Sequence, residues 1–568
     1  RLPMLKLETH SPERLRRFPL LCAIAKKVDT AAAKRPLRGA RWSGPSRYLA
    51  ALGLFWLTGL HAQTTEAQPN APALYQQHCA VCHGAQRTGI MGPALLPESL
   101  ERVRPAEVLR VIQQGRPATQ MPGFSEQLGD AEIRALAAWV RTPVMPAPRW
   151  GEDDIRASRT FTPVPDDEPA KPKWNADPMN LFLVVEGGDH HVSLLDGDRF
   201  EVITRFASRY ALHGGPKFTP DGRYVFFGSR DGWITKYDLW RLRVVAEVRA
   251  GLNMRNVAVS GDGRWVMAAN YLPHTLALFD ADLNLVQTYA AATLDGKASS
   301  RVSAVYDATP RKSFVVALKD IPELWEISYD RNAAPIYDGL VHDYKMGEAI
   351  AKPGYLGVRR TPLSEPLDDF FFDQSYRHVL GATRPRSGAD ERASAQVVNL
   401  DIRRKVADLP IAGMPHLGSG ITFAWGDTTV LASPNLGGGA VDVIDMQTWK
   451  TVRTIATPGP GFFMRSHEDT PYAWTDSMMS PTAKDTLTII DKRTLQPVAQ
   501  VREPGKTLAH IEFTRDGRYA LASVWEMDGA LVVYDAATFK EVKRLPMKKP
   551  VGKYNVWNKI TRSEGTSH

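Results

Sequence analysis

The chain is 568 residues long, 43% apolar and 23% charged, with 43 Gly and 41 Pro. This is globular composition at a length for two or more domains, and it excludes a fibrous or disordered chain. The formal charge of +9 would suit a polyanion binder, but residues 1–47 carry 12 Lys/Arg against 3 Asp/Glu while the remainder carries 59 of each. No nucleic-acid partner is implied.

The basic segment precedes an uncharged apolar run, Tyr48 to Leu60, ending His61-Ala62 before a polar stretch. Thirteen residues are too few to span a bilayer as a helix and match a secretory h-region. Residues 1–62 therefore read as a presequence, with a non-native upstream extension because the first residue is Arg, and the protein is expected in the periplasm with no stable membrane span. A retained N-terminal anchor is the alternative. Export leaves Cys79 and Cys82 as the cysteines of the mature chain, Cys22 lying in the presequence.

The pair occurs as Cys79-Ala-Val-Cys82-His83-Gly84. This arrangement attaches a c-type haem through two thioethers, with the adjacent His83 as proximal iron ligand. Met121, in Gln120-Met-Pro-Gly-Phe124, is the candidate distal ligand, with Met91 the competitor. A thioether opposite an imidazole suits electron transfer. Segments 71–80, 104–115 and 129–141 read as helices, the last with Ile133, Leu136, Ala137 and Val140 on one stripe. A small all-α c-type cytochrome domain is expected over 63–142. Prolines 143, 146, 148, 163, 165, 169, 172 and 178 then mark 143–179 as an extended, semi-rigid linker.

From about 180 the pattern turns to short β-branched and aromatic runs. A strand ending in an apolar residue and Asp, followed by a tight turn, recurs at Asp196, Asp238, Asp280, Asp330, Asp401, Asp445, Asp491 and Asp535, at spacings of 42, 42, 50, 71, 44, 46 and 44 residues. Eight copies at this period predict an all-β eight-bladed propeller over 180–568, with an insertion around 331–375. Turns of the form Asp-Gly-Arg follow at 221, 262 and 516. Blade entries upstream carry His213, Arg255, His416, His467 and His510. Imidazoles and guanidinia converging on a channel rim read as a site for an anionic, metal-containing ligand.

A c-type cytochrome domain ahead of an eight-bladed propeller with rim histidines resembles the cytochrome cd1 family, across essentially all of the chain after its presequence. The resemblance implies a propeller that binds haem d1. It implies that His213, in Tyr210-Ala-Leu-His213, is the proximal d1 ligand, and that Arg230 and Arg255, in Gly228-Ser-Arg-Asp-Gly and Gly251-Leu-Asn-Met-Arg, face the d1 carboxylates. It also implies that His416, in Met414-Pro-His-Leu-Gly-Ser-Gly, caps the d1 iron or acts on its distal side. Gly552-Lys-Tyr554-Asn-Val-Trp-Asn matches the family's ending.

The departures decide between branches of the family. The nitrite reductases carry a second distal histidine in a segment ending His-Pro-Glu-Phe, whereas Leu318-Lys-Asp-Ile-Pro-Glu-Leu324 has none; arginines expected after His416 and Arg230 are Ser419 and Trp233. Loss of paired proton donors argues against nitrite reduction. The resemblance then points to the c-haem-bearing branch of haem d1 biosynthesis, whose implied activity is oxidation of a dihydro-haem d1 propionate to an acrylate, electrons passing to the covalent haem c. His510 is assigned as base and Tyr554 as its proton-relay or orienting partner. Implied partners are dihydro-haem d1, a cytochrome cd1 nitrite reductase, NirF-like biosynthesis proteins and a soluble electron acceptor. The alternatives are a nitrite reductase whose second histidine is His342 or His378, and a non-catalytic haem d1 carrier.

Overall fold

The computed structural model describes residues 69–562 and 564, except 91, 101–102, 116–120, 147, 164, 166–167, 169–170, 210, 338–350, 384–393, 410 and 412–414. The presequence, Met91, Tyr210, His342, Met414 and the middle of the expected insertion thus lie outside the described residues.

Helices Ala71–His78, Ala80–His83, Pro97–Leu100, Pro105–Gln114 and Asp130–Trp139 build the first part. The expected stripe of Ile133, Leu136, Ala137 and Val140 is buried against Tyr75, Val108, Ile112 and Phe124. Spaced three and four apart, these residues share one helix face, so a single core gathers all the longer helices. The short helices over 80–83 and 97–100 escape a periodicity argument because each is one turn.

The segment read as an extended linker is more structured than its prolines suggest. Glu152–Ser158 is a helix, its start fixed by the Gly151 amide donating to Asp154 (2.8 Å). Three acidic residues in its first turn favour it through the helix dipole. Thr160–Phe161 then pairs with Arg243–Arg249 as a fifth strand on the second blade. The indoles of Trp150 and Trp174 donate to the carbonyls of Arg249 (2.9 Å) and Leu239 (2.8 Å). The strap is held by partners 65 to 136 residues away, which local composition does not reveal.

Among the described residues the strands beyond it form eight antiparallel sheets of four strands in one compact unit. Blades 2 to 8 run in chain order and begin at Lys217, Asn253, Val302, Asp369, Ile421, Met464 and Leu508. Blade 1 combines Leu181–Glu186, His191–Asp196 and Glu201–Ala207 with the C-terminal strand Pro550–Asn555, which pairs with Leu181–Glu186 and closes the ring.

The recurrent Asp has a physical role. At the end of the third strand its carboxylate accepts backbone N–H bonds from the turn, as Asp196 does from Asp198 (2.8 Å) and Arg199 (3.1 Å), and Asp535 from Ala537 and Thr538. Blades 4 and 5 depart from the expectation: their third strands end at Ser328 and Asn399, whose side-chain oxygens accept the amides of Asp330 (3.1 Å) and Asp401 (2.9 Å), so Asp330 and Asp401 lie inside the turns. The extra length of blade 4 falls between its third strand, Glu323–Ser328, and its fourth, Val358–Pro362.

Candidate functional site

Two sites emerge. In the helical part, Cys79 and Cys82 are unpaired half-buried thiols, and burial pushes the Cys79 thiol up to about 11. The His83 ring is buried and bonds the Pro93 carbonyl through Nδ1 (2.8 Å), leaving Nε2 for an axial metal bond. A Cβ on Gly92 would lie 2.7 Å from this ring, so the loop needs glycine there to lie against the imidazole. Met121 packs on the same cluster as Cys79 and Ala80. Arg87, with φ 60°, donates to the carbonyls of Trp139 (2.9 Å) and Thr142 (2.7 Å), tying the attachment loop to the last helix. The donor set fits a covalent c-type haem with two thioethers, imidazole and thioether.

The second site is a cavity of about 390 Å³ in the propeller, a volume suited to a cofactor-sized ligand. His213 enters it from the loop before blade 2, its amide bonded to the Gly228 carbonyl. Its Nδ1 bonds the Arg255 carbonyl (2.7 Å), while Nε2 faces the guanidinia of Arg230 (2.8 Å) and Arg255 (2.9 Å). Burial and these two cations hold the imidazole well below its usual range, so it is neutral and able to bind metal. Arg255 sits on Asn253–Val259, and Arg230 on the hairpin after Tyr224–Gly228.

The opposite wall is aromatic. His416 bonds the Phe462 carbonyl through Nδ1 (2.9 Å) and packs on the Phe462 ring at 3.9 Å; Phe463 lies 4.6 Å from both Phe462 and His510, and His510 meets Tyr554 at 5.2 Å. His510 owes its direction to a β-bulge. Pairing between blade 8's first two strands skips from Ala509 to Ile511, and His510 takes φ 52°. A left-handed non-glycine residue costs about 1 kcal/mol and needs surrounding structure to hold it. The bulge turns the ring towards the cavity, which it lines with Tyr554. Burial and the cations Lys553, Arg465 and Lys559 hold His510 well below its normal range, while burial pushes the Tyr554 phenol up to about 12. At neutral pH the pair is a neutral imidazole beside a protonated phenol.

The structure thus brings His213, Arg255, His416, His510 and Tyr554 onto one cavity and places Arg230 against His213. His467 is not among them. It is fully buried behind blade 7, with the Asp469 amide on its Nδ1 and Gly517 beneath its ring. Blade 7 instead presents Arg465, two residues earlier, whose buried Nε has no hydrogen-bond partner among the described residues. The signal was a repeat: Gly251-Leu-Asn-Met-Arg255 recurs as Gly461-Phe-Phe-Met-Arg465. Four blades apart in the ring, the two arginines line the same cavity, with Asp369 its acidic counterpart on blade 5. Ser419 lines it where the reductase pattern has arginine, and Trp233 lies under the Arg209 guanidinium at 3.9 Å. His378 is held by Asp373 (3.0 Å) and Asn399 (3.1 Å), away from the cavity. This donor set, a neutral imidazole whose Nε2 meets two guanidinia, with further arginine and an aromatic wall, fits an iron tetrapyrrole bearing several carboxylates.

Comparison with known proteins bears on both sites. The cytochrome D1 heme domain model matches residues 176–338 and 351–559, and the model for cytochrome C oxidase, cbb3-type, subunit III matches 66–140. The chain is 54% identical over 522 residues to the dihydro-heme d1 dehydrogenase of Pseudomonas aeruginosa, covering 92% of this chain and 100% of that one. It is 29% identical over 377 residues to protein NirF of Stutzerimonas stutzeri, covering 66% and 90%. With the nitrite reductase of the same organism it shares 24% over 560 residues, covering 87% and 93%. The solved structure of dihydro-heme d1 dehydrogenase NirN in complex with DHE superposes at a TM-score of 0.75 with 54% identity, covering 86% of this chain and 99% of that one.

Proposed function

The chain belongs to the cytochrome d1 haem domain family, and from that premise we propose that it oxidises dihydro-haem d1 to haem d1. Conversion of a propionate CH2–CH2 to the acrylate CH=CH breaks two C–H bonds, forms one C=C bond and releases two protons and two electrons. The observation that carries the proposal is that one compact unit holds both a c-haem attachment site and an arginine-lined cavity of about 390 Å³ containing a neutral imidazole–phenol pair. The haem c supplies a one-electron acceptor that a soluble oxidant can regenerate.

The rest is the work of side chains. His213 holds the substrate iron through Nε2, and Arg230 and Arg255 turn from it to the ring carboxylates, which a guanidinium fork binds in bidentate fashion. Arg465 binds from the other side. His416 faces the distal side. His510 takes a proton from the propionate side chain, and Tyr554 orients or relays it. Residues 63–142 form the cytochrome domain and 180–568 the substrate domain. Export to the periplasm accords with the secretory pattern of 1–62, and among the described residues no helix is long and apolar enough to cross a membrane. The identity to NirF and nitrite reductase supports a place in the same pathway, with transfer of the product to a cytochrome cd1 reductase.

The test is anaerobic mixing of the oxidised c-haem protein with dihydro-haem d1. The reduced c-haem bands should appear, and the d1-loaded protein should not turn over nitrite. Binding without c-haem reduction, or sustained nitrite turnover, contradicts the assignment.

A further inference from the structure

A fully buried lysine sits behind the assigned base. Lys553, 0% exposed on the closing strand Pro550–Asn555, donates to the His510 carbonyl and to Ser523 Oγ (2.8 Å), and its Nζ lies 3.5 Å from His510 Nδ1. The bulge removes His510 from the ladder between the first two strands of blade 8, so its carbonyl points out of the regular pairing and towards this amine. The next residue on the same strand, Tyr554, packs on the His510 ring. One strand therefore holds His510 twice, by its backbone through Lys553 and by its ring through Tyr554.

Burying an amine is costly, and a buried lysine is retained where it meets acceptors. Both oxygens beside Lys553, the His510 carbonyl and Ser523 Oγ, accept hydrogen bonds from the amine. A methionine or leucine would fill the same volume without that cost, so packing alone does not explain the residue. Other groups surround His510: Arg465 and Lys559 add positive charge, Asp476 accepts the His510 amide (3.3 Å), Glu512 contributes negative charge nearby, and Tyr554 and Phe463 cover the ring. Burial, with Arg465 adding to it, holds the Lys553 amine well below 10.5 against the pull of the Glu512 carboxylate.

We infer that Lys553 is the positioning residue of the proton-transfer site, fixing His510 on its bulge with Nε2 towards substrate. The inference rests on the reading of His510 as base. It makes three linked expectations for Lys553→Met: kcat falls about tenfold with KM for dihydro-haem d1 unchanged; the acid limb of the kcat profile moves up by about one pH unit, because loss of a nearby cation raises an imidazole pKa; and the same change made in a His510→Gln protein has no further effect on rate.

The holoprotein, with its c haem attached, is used throughout. Dihydro-haem d1 affinity and melting temperature establish that each variant is folded. Should Lys553→Met not fold, Ser523→Ala, which removes the second partner of the amine, must show a smaller upward displacement of the same limb, and no displacement overturns the inference. A folded Lys553→Met protein with unaltered kcat and pH profile overturns the inference, as does an equal loss in the His510→Gln background. Full activity of His510→Gln alone overturns the underlying assignment of the base instead, so the two failures are distinguishable.

Discussion

The residues of the substrate cavity are set for binding and proton removal by their surroundings. His213 and His510 are both buried and both held well below the usual 6.5, chiefly by desolvation and then by neighbouring cations. In the unfolded chain they would take a proton on acidification that the folded chain refuses. Their contribution to stability is therefore complete above about pH 6.5 and is lost as the pH falls below it, at about 1.4 kcal/mol per pH unit for each group. The melting temperature of the substrate-free protein should fall between pH 7 and pH 5, and His510→Gln should flatten that slope; an unchanged slope contradicts the depressed His510 pKa. In turnover, His510→Gln should lower kcat by about 10² to 10⁴, the usual worth of a general base, and Tyr554→Phe by less. At the other site Met121→Leu should abolish the thioether-to-iron charge-transfer band and lower the c-haem potential, since a thioether opposite histidine raises it. Retention of the band would assign the distal ligand elsewhere.

At the scale of elements, the blades were legible because the chemistry that ends their third strands is local. An Asp side chain capping the next two or three amides needs no tertiary partner, so it recurs in sequence as it recurs in space. Where the cap moved to Asn399, the count of blades survived and the position slipped by two residues. Features that depend on distant partners were not legible. The helix over 152–158 and the strand Thr160–Phe161 are held against blades 2 and 3, with Glu152 accepting from Thr288 (2.8 Å), and no period marks them. The bulge at His510 carries no glycine to announce it. His467 and Arg465 were confused because a two-residue strand, Met464–Arg465, offers no alternation from which to tell the channel side from the other. The closing strand and the helix after it, Val556–Thr561, are tied across the ring: Asn558 donates to Glu512 (2.9 Å), Arg562 to Asp307 (2.6 Å), and Glu564 accepts the Ala424 amide (2.7 Å). A chain ending at Lys549 would leave blade 1 one strand short and the ring open. Its unfolding should lose cooperativity and start at a lower temperature, with the cytochrome part retaining its c-haem spectrum.

Across the whole molecule, Arg249 ties the c-haem loop to the hairpin that carries Arg230. Arg249, at the end of blade 2's outer strand, donates to the Asp231 carbonyl (2.8 Å) and to the Thr88 carbonyl (2.9 Å) of the c-haem loop, and stacks over Trp150 at 4.9 Å. Asp231 follows Arg230, which faces His213, and the Gly89 amide bonds the His83 carbonyl. Ala94 and Leu96 of the helical part pack with Leu252 of the propeller beside this contact. Arg249→Ala should leave dihydro-haem d1 affinity and the c-haem potential unchanged while slowing c-haem reduction by bound substrate about tenfold, because a small displacement of two reacting centres is costly. An unaltered rate would show that this contact does not set their separation.

The deciding measurement is the mass of the tetrapyrrole recovered after anaerobic incubation with at least two equivalents of oxidised holoprotein, since each c haem takes one of the two electrons. The product should be about two mass units lighter than dihydro-haem d1, the loss of two hydrogens from one propionate, and the His510→Gln protein should return unchanged substrate over the same time. Tight binding with the mass unchanged in the unaltered protein would contradict the dehydrogenase and leave a carrier of haem d1.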